Sequence, residues 1–176
     1  LKPLVEKNDA TALLIAAKAY EQSGDSTRAV ANYRRIYFYA PTSIEAPNAA
    51  SAITRLGSST AAANGEEANR RAMELFSAQR WAEAYDAFTD ALTRFPAAAN
   101  RDIRVFRVTA AANARKFPEA VAALNQVPIE ERAGAMMGLA GAYARAKQWA
   151  QARSVADEMH KTNSSPTATM RTFVQL

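Results

Sequence analysis

The sequence predicts an all-α fold, an α–α superhelix of about ten helices stacked as antiparallel hairpins. Three observations lead to this prediction. Hydrophobic residues make up 49% of the chain, and many are alanine, which favours helix and lets helices approach closely. The chain has only 6 Gly and 7 Pro, so a β-rich fold is disfavoured. Finally, an aromatic-x-x-alanine unit recurs at Trp81/Ala84, Phe117/Ala120 and Trp149/Ala152.

The spacing of the recurring alanines indicates a repeat. An earlier stretch, YEQSGDSTRAVANYRRIYFYAP, places Ala29 in the same role, and the successive intervals are then 55, 36 and 32 residues. Two of these intervals are close to 34 residues, a length typical of a two-helix repeat. One hairpin cannot bury its apolar face alone, so neighbouring hairpins are expected to stack.

The first hairpin is predicted from one apolar stripe and one turn. Leu13, Ala16, Ala17 and Tyr20 share a helix face. The turn SGDS then supplies Gly24 for a left-handed C-cap and an Asp or Ser for the next N-cap. Helices are expected near 9–23, 26–39 and 43–56, and Pro47 limits where the third begins.

The stretch GSSTAAANG, residues 57–65, is interpreted as a linker or hinge. It divides the predicted chain into residues 1–56, one hairpin plus an extra helix, and residues 66–176. The second part is expected to hold three irregular hairpins and a terminal helix, with helices near 66–79, 81–95, 99–114, 117–126, 129–146, 149–161 and 165–175. The three recurring aromatic residues should wedge between neighbouring hairpins, where Ala84, Ala120 and Ala152 mark close helix crossings.

These residues resemble the tetratricopeptide repeat family, in which small, aromatic, Gly and Pro residues recur at fixed positions. The residues that carry the resemblance are Ala17, Tyr20, Gly24, Ala29, Tyr33, Pro41, Trp81, Ala84, Phe88, Pro96, Phe117, Ala120, Tyr143, Trp149 and Ala152. The resemblance implies a scaffold that binds a protein or peptide partner on a concave face lined by the first helix of each pair. By position, the implied contact residues are Leu14, Lys18, Gln22, Asn69, Met73, Phe76, Thr109, Ala112, Asn113, Met137, Gly141 and Arg145. This lining lacks the Lys/Asn/Arg clamp with which some members hold a C-terminal carboxylate.

A narrower resemblance is to the non-catalytic superhelical region of bacterial soluble lytic transglycosylases. It is carried by RAMELFSAQRWAEAYDAFTDAL, RDIRVFRVTAAANARKFPEAVAAL and IEERAGAMMGLAGAYARAKQWAQA. It implies a periplasmic or cell-envelope setting and peptidoglycan as an alternative ligand, while composition alone leaves the cytoplasm open. The catalytic domain of that family is a separate lysozyme-like unit with a Glu-Ser motif. No Glu-Ser pair occurs here, so the activity does not carry over.

No catalytic constellation, cofactor motif or metal site is predicted. The adjacent carboxylates Glu66-Glu67 and Glu130-Glu131 point about 100° apart on a helix and are interpreted as helix N-terminal residues. His160 is the only histidine and there is no cysteine, which disfavours a metal site. No apolar stretch is long enough to span a membrane.

The net charge of +5 leaves an anionic partner open. Arg101, Arg104 and Arg107 recur every three residues, which suggests either a solvated ridge with arginine stems on apolar neighbours or an anion-binding patch. Nucleic acid is the less favoured partner. The aromatic run Tyr37-Phe38-Tyr39 sweeps around a helix, so at least one of its rings is expected to face outward.

Overall fold

The computed structural model describes residues 2–162, which are all-helical and contain no strand. The chain forms two compact units, Leu1–Gln79 and Arg80–Leu176. The all-α prediction is therefore confirmed for the described residues. The helix expected at 165–175 lies outside them.

The first unit contains five helices within its described residues. They are α1 (Lys2–Glu6), α2 (Ala10–Gln22), α3 (Ser26–Tyr39), α4 (Ala46–Arg55) and α5 (Gly65–Ser77). The short α1 was not predicted. It is followed by a turn at Asn8, whose φ is 60°, and the Asp9 carboxylate then accepts a 2.8 Å hydrogen bond from the backbone N–H of Ala12 at the start of α2.

The core of the first unit lies between α2, α3 and α4. The predicted stripe supplies Leu13 and Ala17, which are fully buried against Ala29, Tyr33 and Ile36 of α3. The opposite wall is the alanine-rich face of α4. Small side chains on α4 allow close approach, so a ten-residue helix still closes this core.

The second unit contains five α-helices and two 3₁₀ turns within its described residues. They are α6 (Trp81–Arg94), a 3₁₀ turn (Pro96–Ala98), α7 (Arg101–Asn113), α8 (Phe117–Asn125), a 3₁₀ turn (Ile129–Glu131), α9 (Arg132–Arg145) and α10 (Trp149–Thr162). The sequence predicts one continuous helix over 129–146. Its first three residues instead form the second 3₁₀ turn, directly after Pro128, which cannot donate a backbone hydrogen bond.

The recurring aromatic-x-x-alanine unit has two parts with different outcomes. Ala84, Ala120 and Ala152 are all fully buried, as expected for close helix crossings. Phe117 stacks on Tyr143 of the following hairpin, with ring centroids 4.5 Å apart and an interplanar angle of 15°, so it forms the expected wedge. Trp149 is 54% exposed, so it forms no such wedge within residues 2–162.

The segment expected to be a linker is non-helical from Gly57 to Asn64 and is tied to the first unit. The guanidinium of Arg34 donates to the carbonyl oxygens of Ser59 and Ala61, the second at 3.2 Å, and Ala62 is buried. The boundary between the compact units lies at Gln79/Arg80, after α5. The division of the chain at 57–65, and the role of this segment as a linker or hinge, stays a prediction.

Candidate binding surfaces

In the first unit, side-chain contacts join α2 and α4 near both ends, and they show that the two helices run parallel. Near their beginnings, the Thr11 hydroxyl donates a 2.7 Å hydrogen bond to the Glu45 carboxylate, and near their ends Arg55 pairs with Glu21. Helix α4 therefore occupies the position of the first helix of a second repeat. The surface between these end contacts is open.

One stripe of α2 borders α4 and remains exposed along the whole helix. Its members recur at helical spacing and, with one α4 residue, define what we call the α2–α4 face: Thr11, Ile15, Lys18, Gln22 and Arg55. The Ile15 side chain is 53% exposed in the middle of the face, with polar neighbours on either side. An aliphatic centre within a polar rim is typical of protein-binding surfaces.

Charge at the end of this face is organised around Glu21. Its carboxylate accepts hydrogen bonds from Arg55 and from the Tyr33 hydroxyl, the latter at 2.9 Å. The Arg55 hydrogen bond, followed by that of Tyr33, lowers the pKa of Glu21. Burial, followed by the hydrogen bond to Glu21, raises the pKa of Tyr33 to about 12. The face therefore carries a carboxylate whose charge is already engaged, together with the exposed side chain of Lys18.

The predicted lining residues of the first unit fall into two groups. On α2, Lys18 and Gln22 are exposed, but Leu14 is partly buried against the core. On α5, Asn69, Met73 and Phe76 are partly buried. Ile15 was not predicted as a binding residue, because an isoleucine that follows Leu13 and Leu14 is expected in the core. Its place in the 11-15-18-22 stripe was the signal that could have identified it.

In the second unit, α7 and α9 also run parallel, but they pack along their lengths. A Cβ built on Gly134 would lie 3.6 Å from the Val105 side chain, and one built on Gly138 would lie 2.6 Å from the Thr109 hydroxyl oxygen. At the ends of the helices, Arg145 donates a 2.6 Å hydrogen bond to the Asn113 side chain. The two glycines let the helices approach so closely that these lining positions serve helix packing.

This packing changes the interpretation of the residues expected to line the second unit. Ala112 is fully buried, and Met137 packs against the core. Asn113 is held by Arg145, while Gly141 is partly exposed. The structure brings these residues together, but at a helix–helix contact, so the α2–α4 face is the more open of the two surfaces.

The three arginines of α7 do not form a common ridge. Arg101 is exposed. Arg104 makes two hydrogen bonds, of 2.9 and 2.7 Å, to the Glu131 carboxylate, and this interaction lowers the pKa of Glu131. Arg107 is only 8% exposed and donates a 2.7 Å hydrogen bond to the Gln126 side chain. Within residues 2–162, Arg104 is paired and Arg107 is buried, so Arg101 alone of the three predicted patch residues remains exposed.

The aromatic run also differs from its expectation, because none of its three rings faces fully outward. Phe38 is buried, and Arg71 lies over the Tyr37 ring at 3.9 Å from its centroid. The Tyr39 hydroxyl donates a 3.1 Å hydrogen bond to Glu66 of α5. The run therefore joins α3 to α5 and is not offered to a ligand.

The carboxylate pairs and the histidine occupy helix ends. Glu67 accepts a 2.7 Å hydrogen bond from the Ala63 N–H, while its own N–H donates to the side chain of Asn64, the N-cap of α5. His160 is exposed in the last turn of α10. Among residues 2–162, no three His, Asp or Glu side chains come together as metal ligands.

Residues 11–43 match the family model of the tetratricopeptide repeat. The matched segment contains α2, the Gly24 turn and α3. The match and the consecutive packing of the helices together support a protein of the tetratricopeptide repeat type. No curated protein and no solved structure matches the chain.

None of the helices in the described part of the chain has both the length and the hydrophobicity needed to cross a membrane.

Proposed function

We propose that this chain is a non-catalytic scaffold that binds a protein or extended partner through the α2–α4 face. The observation that carries the proposal is the exposed stripe of α2 within the segment that matches the tetratricopeptide repeat. Repeats of this type usually bind protein partners, and here the surface of α2, the first helix of its pair, is open and centred on exposed Ile15. Its rim offers Lys18 and Gln22 for polar contacts.

Substitution at Ile15 tests this proposal. Burying the exposed half of an isoleucine contributes about 1–1.5 kcal/mol, so Ile15→Ala should weaken partner binding by roughly tenfold. Partners cross-linked to the wild-type chain in cells of the source organism would be identified by mass spectrometry. Their affinity for each purified variant would then be measured by calorimetry.

The matched control is Val121→Ala on α8, which truncates another exposed aliphatic side chain, 40% exposed, on a second helix of a hairpin. Both variants should unfold at the wild-type urea midpoint, since neither residue is buried. A partner that binds Ile15→Ala as tightly as wild type would refute the α2–α4 face as the binding site.

We further infer that the scaffold acts in the bacterial cell envelope, beside a peptidoglycan-cleaving domain that is not part of this sequence. This inference is supported by the similarity of residues 71–92, 101–124 and 129–152 to the superhelical region of lytic transglycosylases. Co-sedimentation with purified peptidoglycan sacculi is the direct test. Failure to bind sacculi, together with no lysozyme-like domain encoded in the same reading frame, would exclude it.

A further inference from the structure

Three hairpin turns in this chain share one backbone geometry but differ in chemistry. In each turn, a residue with positive φ follows the first helix, and two backbone N–H groups donate to carbonyl oxygens in the last turn of that helix. In the α2–α3 turn, Gly24 donates to Glu21 and Asp25 to Tyr20. The corresponding pairs are Arg115 to Ala112 and Lys116 to Ala111 between α7 and α8, and Lys147 to Ala144 and Gln148 to Tyr143 between α9 and α10. This is the Schellman arrangement, in which glycine is the favoured residue at the positive-φ position. In the first unit the positive-φ position is taken by Asn8, Gly24, Gly57 and Gln79, whereas in the second unit it is taken by the basic residues Arg115 and Lys147.

The two basic turns adopt a backbone conformation that is costly for arginine and lysine but not for glycine. Arg115 has φ 61° and Lys147 has φ 60°, and non-glycine residues are disfavoured in this region. The residue after Arg115 breaks a second local rule. Lys116 is the N-cap of α8, where it makes no side-chain cap and its charge opposes the helix dipole. Lys116 gains an ion pair with Asp86 and lies over the Tyr85 ring, whereas Arg115 and Lys147 make no ion pair with a carboxylate of the described residues. Positions that break a local rule without such a gain are candidates for function.

The parallel packing of α7 and α9 brings these turns to the same edge of the second unit. Arg145 links the two helix ends through its 2.6 Å hydrogen bond to Asn113. Together, Arg115, Arg145 and Lys147 form what we call the basic edge, and all three are exposed. Packed helix axes lie about 8–10 Å apart, which sets the approximate spacing of the two turns.

Within the described residues, no carboxylate neutralises the charges of the basic edge. None of the three residues forms an ion pair with a carboxylate of residues 2–162. The neighbouring Asp86 carboxylate is taken by Lys116 at 3.2 Å. Residues 163–176 contain no Asp or Glu, so no acidic side chain there can neutralise the edge either.

We propose that the basic edge binds an acidic segment of a protein partner, with carboxylates about three residues apart in an extended chain. An extended chain rises about 3.3 Å per residue, so such carboxylates are about 10 Å apart and match the spacing of the two turns. Three cations on one edge suit a short acidic peptide better than a nucleic acid, whose phosphates call for a longer row of positive charges. This inference rests on the proposed scaffold role and adds the chemistry of a second contact.

The double variant Arg115→Gly/Lys147→Gly separates a binding role from a structural one. It removes two charges and relieves two strained turns, so its urea midpoint should equal or exceed that of wild type. The probe is fluorescein-labelled Gly-Glu-Ser-Ser-Glu-Ser-Ser-Glu-Gly, and its binding is followed by fluorescence anisotropy at low salt. Loss of two exposed ion pairs should weaken binding roughly 2- to 30-fold.

Two control variants accompany the double variant. Arg101→Gln removes one exposed charge at the opposite end of α7 and should bind the probe like wild type. Gln79→Gly relieves the same backbone conformation, φ 59°, without removing charge, and should also bind normally. The peptide with Gln in place of each Glu should not bind.

The outcomes are decisive in each direction. Three results would each overturn the proposal that the basic edge binds an acidic segment. They are no binding of the acidic peptide, equal binding by the double variant and wild type, and a lower urea midpoint of the double variant with unchanged binding. Loss of binding to a single-stranded oligonucleotide or to anionic vesicles without loss of peptide binding would overturn it as well. Because the Ile15→Ala experiment addresses the first unit, the proposed scaffold role can fail or succeed independently of this result.

Discussion

The contact between α7 and α9 allows a sharp test, because two glycines of one helix should respond oppositely to the same substitution. Gly134 and Gly138 both lie inside α9, where alanine is favoured over glycine by about 0.5–1 kcal/mol. A Cβ at 134 would make an ordinary 3.6 Å contact with Val105. Gly134→Ala should therefore stabilise the protein by about 0.5–1 kcal/mol.

At position 138 the same methyl group has no room. Its Cβ would lie 2.6 Å from the Oγ1 atom and 3.3 Å from the Cγ2 atom of Thr109. The Thr109 side chain cannot easily turn away, because it is β-branched and its hydroxyl donates to the Val105 carbonyl oxygen at 3.2 Å. Overpacking costs about 1–3 kcal/mol, so after the gain in helix propensity Gly138→Ala should lose about 1–2 kcal/mol.

Urea unfolding followed by circular dichroism would measure both variants, and a double-mutant cycle would locate the cause. Thr109→Ala removes both crowding atoms and should restore most of the stability lost by Gly138→Ala, with a coupling energy of about 1–2 kcal/mol. If Gly138→Ala is as stable as Gly134→Ala, or if Thr109→Ala gives no rescue, the close approach of α7 and α9 is refuted.

Three further predictions concern buried groups. Ala84 is fully buried, so Ala84→Leu should cost about 1–3 kcal/mol by overpacking, and an unchanged urea midpoint would contradict the close crossing. Burial and the Glu21 hydrogen bond raise the pKa of Tyr33 from 10.0 to about 12, so the folded state favours the protonated phenol. The resulting contribution to the free energy of unfolding is complete below about pH 10 and is lost as pH rises through about 12. Between these pH values, the urea midpoint should therefore fall less steeply for Tyr33→Phe than for wild type. Arg107 is buried with a neutral partner, and its Nε atom has no hydrogen-bond partner. Arg107→Met should therefore leave the free energy of unfolding unchanged or raise it by about 1–2 kcal/mol, and a clear loss would show that the Gln126 bond outweighs desolvation.

Helical periodicity predicted most of the fold because it reports which face of a helix is apolar. The predicted α3 agrees with the structure at both ends, since Asp25 caps its beginning and the chain turns at Ala40 before Pro41. The short α1 could not be found in this way, because five residues are too few to show a period. The 3₁₀ turn at 129–131 was merged with α9 for a similar reason.

The role of α4 was harder to predict than its existence. The sequence presented it as an extra helix, since no aromatic-x-x-alanine unit follows it. Its beginning at Ala46 lies 36 residues after that of α2 at Ala10, which is one repeat length, and this interval was the available signal. The contacts of Thr11 and Arg55 with their partners then place α4 parallel to α2.

The binding face could not be predicted by position alone, because neighbouring first helices meet in two different ways. Between α7 and α9, Gly134 and Gly138 let the helix backbones approach, so Thr109 and its neighbours pack within the helix contact. Between α2 and α4, no glycine brings the backbones together, and polar contacts at the two ends hold the pair instead. The stripe around Ile15 consequently stays open. Family position identifies which helices form the inner surface, whereas the size of the side chains between those helices decides how much of that surface a partner can reach.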